Sequence, residues 1–198
     1  MILISTGHHA YKKGANFEGF YEFDEAKIWS SLIAYYIGNN VMVVPNGVLK
    51  EKVDFINSQK DVSIAVEVHF NSAQRKIGEK TIVESDGSEV IENIYERIGN
   101  GCETLHYPDS VKGIKAAKLV QSAMAKVFKP DRGIKEGYFR MDSANGVDYF
   151  LARTNCVSLI IEPEFIHHKD LIQKNRDDCC AVIAQALVTF SNNNKALK

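Results

Sequence analysis

Four ionisable side chains draw attention because each falls where a short apolar run gives out or a helical pattern begins. His8 follows the run at residues 1–5, with His9 beside it. His69 lies at the end of residues 63–70, and Glu162 ends residues 156–161. Glu22 opens the first long stretch of helical period. Two imidazoles and a carboxylate suit Zn2+, which takes nitrogen and oxygen ligands in a tetrahedron. Three protein ligands leave a fourth position open, and zinc lowers the pKa of water there to about 7. A second carboxylate that is not a ligand can take and return a proton. His8, Glu22, His69 and Glu162 supply such a set. Taken singly, each has an ordinary structural role: a histidine at a strand end is usually hydrogen-bonded, and an acid in a helix's first turn is favoured by the helix dipole. His106 and the adjacent pair His167 and His168 are read as ordinary, the pair as surface residues whose side chains diverge.

The elements that must position this set read as follows. Residues 1–5 form a buried strand, and residues 6–21, rich in Gly, Lys and Asn, form a loop. A helix starts at Glu22, with Ile28, Leu32 and Tyr35 or Tyr36 on one face, and stops at Gly38. Residues 41–44 make a second strand. Asn46 is expected to cap a helix whose apolar positions are Leu49, Val53 and Ile56. Residues 63–70 form a third strand. Residues 73–100 are ambiguous: 81–83 read as strand and Asp86–Gly87 as a turn, while 89–98 fit a helix or the return arm of a hairpin. Residues 102–107 read as a strand and 112–128 as an amphipathic helix. Residues 132–145 read mostly as loop, 147–153 as a short helix, and 156–161 as a strongly apolar strand. A last helix spans 176–190, and 191–198 form a frayed polar tail or the start of a linker. Alternating strands and helices predict a single α/β domain with helices on both faces of the sheet. Such folds collect their sites at the carboxyl edge of the strands, where these residues fall.

Composition narrows the function classes. The 24 Lys and Arg balance 25 Asp and Glu, which gives no electrostatic footprint for nucleic acid. No apolar run approaches the ~18 residues of a bilayer span, so membrane insertion is not expected. The first residues lack the basic segment and cleavage site of a signal peptide, so the expectation is a chain made in the cytoplasm and released by other means. Cys102, Cys156, Cys179 and Cys180 show no metal-binding spacing and are read as reduced, mostly core-filling thiols.

The ordered motifs resemble the zinc-dependent N-acetylmuramoyl-L-alanine amidases of cell-wall turnover and phage endolysins, over almost the whole chain. Gly7-His8 looks like that family's Gly-His motif, Gly14-Ala15 like its Gly-Ala loop, and Glu22-Phe23-Asp24 like the Glu opening its first helix. His69-Phe70-Asn71-Ser72 after an apolar strand is similar to its His-x-Asn block. Arg132-Gly133-Ile134-Lys135 and Leu159-Ile160-Ile161-Glu162 followed by Phe165 complete the series. The resemblance implies a twisted mixed sheet of about six strands. It implies His8, Glu22 and His69 as zinc ligands and Glu162 as the catalytic acid/base. It implies peptidoglycan as substrate, cut between N-acetylmuramic acid and L-alanine. Asn71 would orient His69 or the substrate, and Arg132 and Lys135 would bind substrate or stabilise an oxyanion.

Several positions depart from the pattern. His9 stands where the family usually has Gly and competes with His8 as ligand. Glu25 competes with Glu22, though the Glu-x-Asp order favours Glu22. Pro163-Glu164 adds a second acid near the site. The insertion between Asn71 and Gly101 is long enough to cover or extend a groove. A zinc peptidase acting on stem peptides and a non-catalytic wall-binding module are the alternative readings. A phage or prophage endolysin acting on the wall after holin-type release is the expected setting. A separate wall-binding domain is a possible partner that residues 1–198 do not include.

Overall fold

Four apolar runs pair side by side and, with two more polar strands, produce a six-stranded mixed sheet. The computed structural model describes residues 1–138 and 146–195. The strands are β1 (Ile2–Thr6), β4 (Val41–Val43), β5 (Ile64–Val68), β8 (Cys102–His106), β9 (Asp131–Glu136) and β10 (Ser158–Glu162). Their order across the sheet is β4-β1-β5-β10-β8-β9. The first four in that order run parallel, whereas β8 is antiparallel to β10 and carries β9 parallel to itself. The helices are α1 (Glu22–Ile37), α2 (Leu49–Ser58), α3 (Val111–Met124), α4 (Tyr149–Arg153) and α5 (Lys169–Lys195).

Strand alternation divides the core into two layers. Ile2, Ile4, Val66, Val68, Leu159 and Ile161 meet α1, α3 and α5 on one face. Leu3, Ala65 and Ile160 meet Val53 and Ile56 of α2 and Phe150 and Leu151 of α4 on the other. Full burial of so many branched side chains, at about 25 cal/mol per Å2 of apolar surface, is the main force holding the layers together.

The fold corrects several local expectations. Helix α1 buries Phe23, Ala26, Trp29 and Ile33, while Ile28, Tyr35 and Tyr36 are exposed. Two apolar stripes compete on this helix, and the sheet takes the one carrying Trp29, the largest side chain. Asn46 does not cap α2; Val48 precedes its first turn, and the Glu51 carboxylate accepts from the Val48 backbone N–H at 3.0 Å. Residues 131–136 are not loop but the edge strand β9. Of the expected 132–145 loop, residues 139–145 lie outside the described residues. Helix α5 begins at Lys169 rather than 176 and continues past Phe190 to Lys195, where Ser191 is buried and its hydroxyl bonds to Ser63 at 2.8 Å. The last tail residues, 196–198, lie outside the described residues.

The early loop holds a small hairpin, β2 (Asn16–Phe17) with β3 (Phe20–Tyr21). The ambiguous insertion is a long hairpin, β6 (Ala73–Val83) with β7 (Glu89–Ile98), so the hairpin reading of 89–98 holds and the helical one does not. Cross-strand ion pairs Arg75–Glu96 and Lys80–Glu92 match positive β6 to negative β7.

Candidate metal centre and active site

The residues at the carboxyl edge of β1, β5 and β10 converge. β1 and β5 are in register through Thr6 and Val68, and the Gly7 N–H donates to Val68 O at 2.8 Å. That ladder sets His8 beside His69. The His69 N–H in turn donates to Ile161 O at 2.9 Å, which sets Glu162 on the far side of His69. Glu22 arrives from α1, its carboxylate held by the N–H groups of Ala15 at 2.9 Å and Phe70 at 3.1 Å. His8 Nε2 lies 3.0 Å from Glu22 Oε2, and His69 Nδ1 lies 2.9 Å from Glu22 Oε1. One donor atom from each of the three residues falls within 4.8 Å of the others. Such crowding of two imidazole nitrogens on one carboxylate needs protons or a cation between them.

The backbone around this cluster is shaped to leave room for it. A Cβ on Gly14 would stand 2.3 Å from His8 Cδ2 and 2.5 Å from Glu22 Oε2, and its φ of +73° disfavours any side chain. A Cβ on Gly7 would stand 2.7 Å from His69 Cε1. Both glycines therefore serve close approach to the donors. His8 itself has φ 61°, a left-handed conformation costly for a residue with a side chain.

Charge follows the geometry. Burial alone would raise the Glu22 carboxyl, but the hydrogen bonds and charges of His69 and His8 win and hold it far below the usual range. Burial alone would lower His69, yet Glu22 and Glu67 flank both ring nitrogens and push it up to about 10. Glu67, two residues upstream, accepts from His69 Nε2 at 3.2 Å. It is also paired with Lys52 of α2 at 2.6 Å, both side chains buried.

Glu162 behaves differently. Its Oε2 is buried with no hydrogen-bond partner, although the side chain reaches the surface elsewhere. That burial pushes its carboxyl up to about 7, with His69 opposing and Glu103 and Glu22 adding to the rise. A carboxyl poised near neutrality can both accept and return a proton.

Across the antiparallel β10–β8 pair, Glu103 lies directly opposite Glu162. Glu103 gathers the other expected residues: Asn71 Nδ2 donates to it at 2.8 Å, Arg132 Nε at 2.8 Å, and Lys135 Nζ joins the same oxygen as Arg132. Burial would raise Glu103, but Lys135 and Arg132 hold it below the ordinary carboxylate range. The Arg132 guanidinium also lies 4.8 Å from the centre of the Phe165 ring. The Asn71 side chain is thus engaged at both ends, its Nδ2 with Glu103 and its Oδ1 accepting from the Ser72 N–H at 2.9 Å.

The competing residues lie elsewhere. His9 pairs through its backbone with Lys12, and its ring packs on Tyr11. Glu25 is clamped by Arg176 at 2.7 and 2.8 Å and by Trp29 Nε1 at 2.8 Å. Glu164 is fully buried and accepts from the N–H groups of Gly101 and Phe165, so it fastens a loop instead of adding an acid to the cluster. The four cysteines are free thiols that burial pushes up, as core-filling residues should be.

The sequence reading missed Glu67, Lys52 and Glu103. A signal was present for two of them: an acid inside an apolar strand for Glu67, and a lysine on the Leu49–Val53–Ile56 stripe for Lys52.

The model of the family described as N-acetylmuramoyl-L-alanine amidase matches residues 2–189. The chain belongs to that family. Its activity is accordingly that of an N-acetylmuramoyl-L-alanine amidase, hydrolysing peptidoglycan at the muramoyl–alanine amide. Solved structures share the fold. The N-acetylmuramoyl-L-alanine amidase from Clostridium difficile 630 superposes with a TM-score of 0.71 at 20% identity, covering 96% of each chain. Cwp6 from Clostridium difficile gives 0.71 at 19% identity, and the match covers 96% of this chain but 29% of that one. The catalytic domain of the CD27L endolysin targeting Clostridia Difficile gives 0.64 at 22% identity, covering 95% and 96%. No curated protein sequence matches the chain. Among the described residues no helix is long and apolar enough to cross a membrane.

Proposed function

We propose that this amidase is a zinc enzyme in which His8, Glu22 and His69 hold the metal and Glu162 moves the proton. The observation that carries this is the convergence of two imidazoles and a carboxylate on one point, with glycines where a Cβ would intrude. That donor set matches the open, three-ligand zinc sites of hydrolases, and members of this family are generally zinc enzymes. Zinc bound there would polarise the scissile carbonyl and lower the pKa of water to about 7. Glu22 enters the site already ionised and already oriented by Ala15 and Phe70, so its carboxylate needs no rearrangement to serve as a ligand. Glu162 accepts the proton of the attacking water and returns it to the departing alanine nitrogen. Its partnerless Oε2 and its carboxyl near neutrality fit both halves of that cycle. Arg132 and Lys135 share the single charge of Glu103, which leaves net positive charge beside Glu162 for stem-peptide carboxylates or a developing oxyanion. Asn71 contributes through Glu103.

We read residues 1–198 as one catalytic unit acting in lysis, a phage or prophage endolysin. The likeness to the CD27L catalytic domain supports this. The match covers only 29% of Cwp6, so a unit of this fold occurs there within a longer chain, and a separate wall-binding domain is the partner we propose for this one.

Digestion of purified peptidoglycan tests the reading. The expected products are intact stem peptides with free L-alanine amino ends, seen by mass spectrometry, from protein carrying one equivalent of zinc. Glu162→Gln should abolish them. Cleavage within the stem peptide would indicate a peptidase instead. Zinc well below one equivalent would refute the metal assignment. The lytic role is tested by expressing the chain with and without a pore-forming protein: lysis should require the pore.

A further inference from the structure

The pair Lys52–Glu67 has no part in the chemistry described above, yet it is the most deeply buried ion pair at the site. The two side chains are only 3% and 4% exposed. Isolated charges are not buried without cause, because removing them from water costs several kcal/mol per ion unless every donor and acceptor is satisfied. Here all are satisfied, and the partners are informative. Lys52 Nζ donates to Glu67 Oε1 at 2.6 Å, to the backbone carbonyl of Thr6 at 2.6 Å and to that of His8 at 3.3 Å. Glu67 Oε1 also accepts from Ser5 Oγ at 3.1 Å, while Glu67 Oε2 accepts from His69 Nε2 at 3.2 Å. One ammonium thus ties the end of β1 and the loop carrying His8 to the strand carrying His69.

Strand alternation explains the meeting. Ala65 and Glu67 share the face of β5 that looks toward α2, and Ser5 shares the corresponding face of β1, while His69 follows directly on the end of β5. Lys52 lies on the buried stripe of α2 between Leu49 and Val53, so its side chain must enter that layer. The His8 carbonyl that it holds belongs to the residue in the left-handed conformation, φ 61°. A backbone strained in this way persists only where its surroundings over-determine it. The acceptor on His69 Nε2 fixes the ring so that Nδ1 faces Glu22. Metal-binding histidines commonly depend on a carboxylate placed in this way on the other ring nitrogen.

We propose that the Lys52–Glu67 pair positions the metal centre: Glu67 sets the orientation of the His69 ring, and Lys52 both neutralises Glu67 and locks the strained His8 loop against it. The proposal rests on the assignment of His8, Glu22 and His69 as metal ligands. Lys52 and Glu67 are positioning residues and touch neither substrate nor metal.

Two double variants test it, each removing both charges so that neither is left buried alone. Lys52→Met with Glu67→Gln keeps size and an acceptor for His69, and Lys52→Met with Glu67→Leu removes the acceptor as well. Replacing a buried ion pair by groups of similar volume is often neutral for stability, so the thermal midpoint should stay near wild type. Zinc affinity, read by competition with a chromophoric chelator, should fall ~10-fold in the first variant and up to ~100-fold in the second. The visible spectrum of the Co2+-loaded protein should change in the same order. A merely structural pair would move the thermal midpoint and leave the affinity and the Co2+ spectrum alone. If either folded variant binds zinc within twofold of wild type with an unchanged Co2+ spectrum, the proposal is overturned. If the Leu variant fails to fold, the Gln variant decides alone. Wild-type protein that binds no stoichiometric zinc would instead defeat the metal assignment, which keeps the two failures apart.

Discussion

Replacing Glu162 with Gln should make the enzyme inactive and, at alkaline pH, more stable. The carboxyl ordinarily titrates near 4.5 and is raised to about 7 in the fold. Between those values the folded state holds a proton that the unfolded state has lost. Stability from this group is therefore fully present below pH 4.5 and is lost as pH rises through 7. At about 1.4 kcal/mol per tenfold difference, the gap amounts to at most ~3 kcal/mol by pH 8. Because part of the side chain reaches solvent, ~2 kcal/mol is the working figure. Gln carries no charge and should show no such loss. The assay is urea unfolding of the chelator-treated protein, followed by Trp29 fluorescence at pH 5 and pH 8. The variant should match wild type within ~0.5 kcal/mol at pH 5 and exceed it by ~2 kcal/mol at pH 8. Peptidoglycan hydrolysis by the zinc-loaded variant should fall by ~100-fold or more, the usual loss of a general base. Wild-type activity should decline as pH drops below about 7 or somewhat lower, since a dication among the three donors can only draw the Glu162 carboxyl down. Equal stability differences at both pH values would refute the burial argument. Retained activity would refute the role.

Other outcomes follow from the same contacts. His8→Ala should lose stoichiometric zinc in elemental analysis while His9→Ala keeps it, because of these two neighbours it is His8 that meets Glu22. Gly14→Ala should weaken zinc binding at least ~10-fold in a chelator competition, since the added methyl would stand 2.3 Å from His8 Cδ2 in a left-handed backbone. Glu25→Ala should cost ~3 kcal/mol in urea unfolding by stranding Arg176 and Trp29, with zinc content unchanged. Replacing residues 75–96 by a two-residue turn should leave the thermal midpoint of the body within a few degrees, because β6 and β7 pair with each other and not with the six-stranded sheet. A fall of more than ~10 °C would mean that the arm packs on the body.

Much of this protein was legible one segment at a time. Strands β1, β4, β5 and β10 announced themselves as apolar runs, and His8, His69 and Glu162 stood where three of those runs end. β9 did not, because Asp131–Glu136 is an edge strand with half its surface in solvent and so has little apolar signal. The apolar face of α1 was misread because Ile28, Leu32 and Tyr36 offer a stripe as regular as that of Phe23, Ala26, Trp29 and Ile33. Helical period alone cannot rank two such stripes; packing against the sheet does.

By itself, then, the sequence determined an alternating α/β order, a carboxyl edge rich in imidazole and carboxylate, and the family motifs in series. These are local properties: hydrophobic period, strand ends and short spacings. Only the tertiary structure gathered His8, Glu22 and His69 into one cluster, with Glu25 held instead by Arg176. It alone brought Lys52 to Glu67, and Asn71, Arg132 and Lys135 to Glu103. The physical reason is that these partners sit on different elements. Their meeting depends on strand register and on which helix covers which face of the sheet, and a charged residue in an apolar stripe shows that a partner is required without naming it.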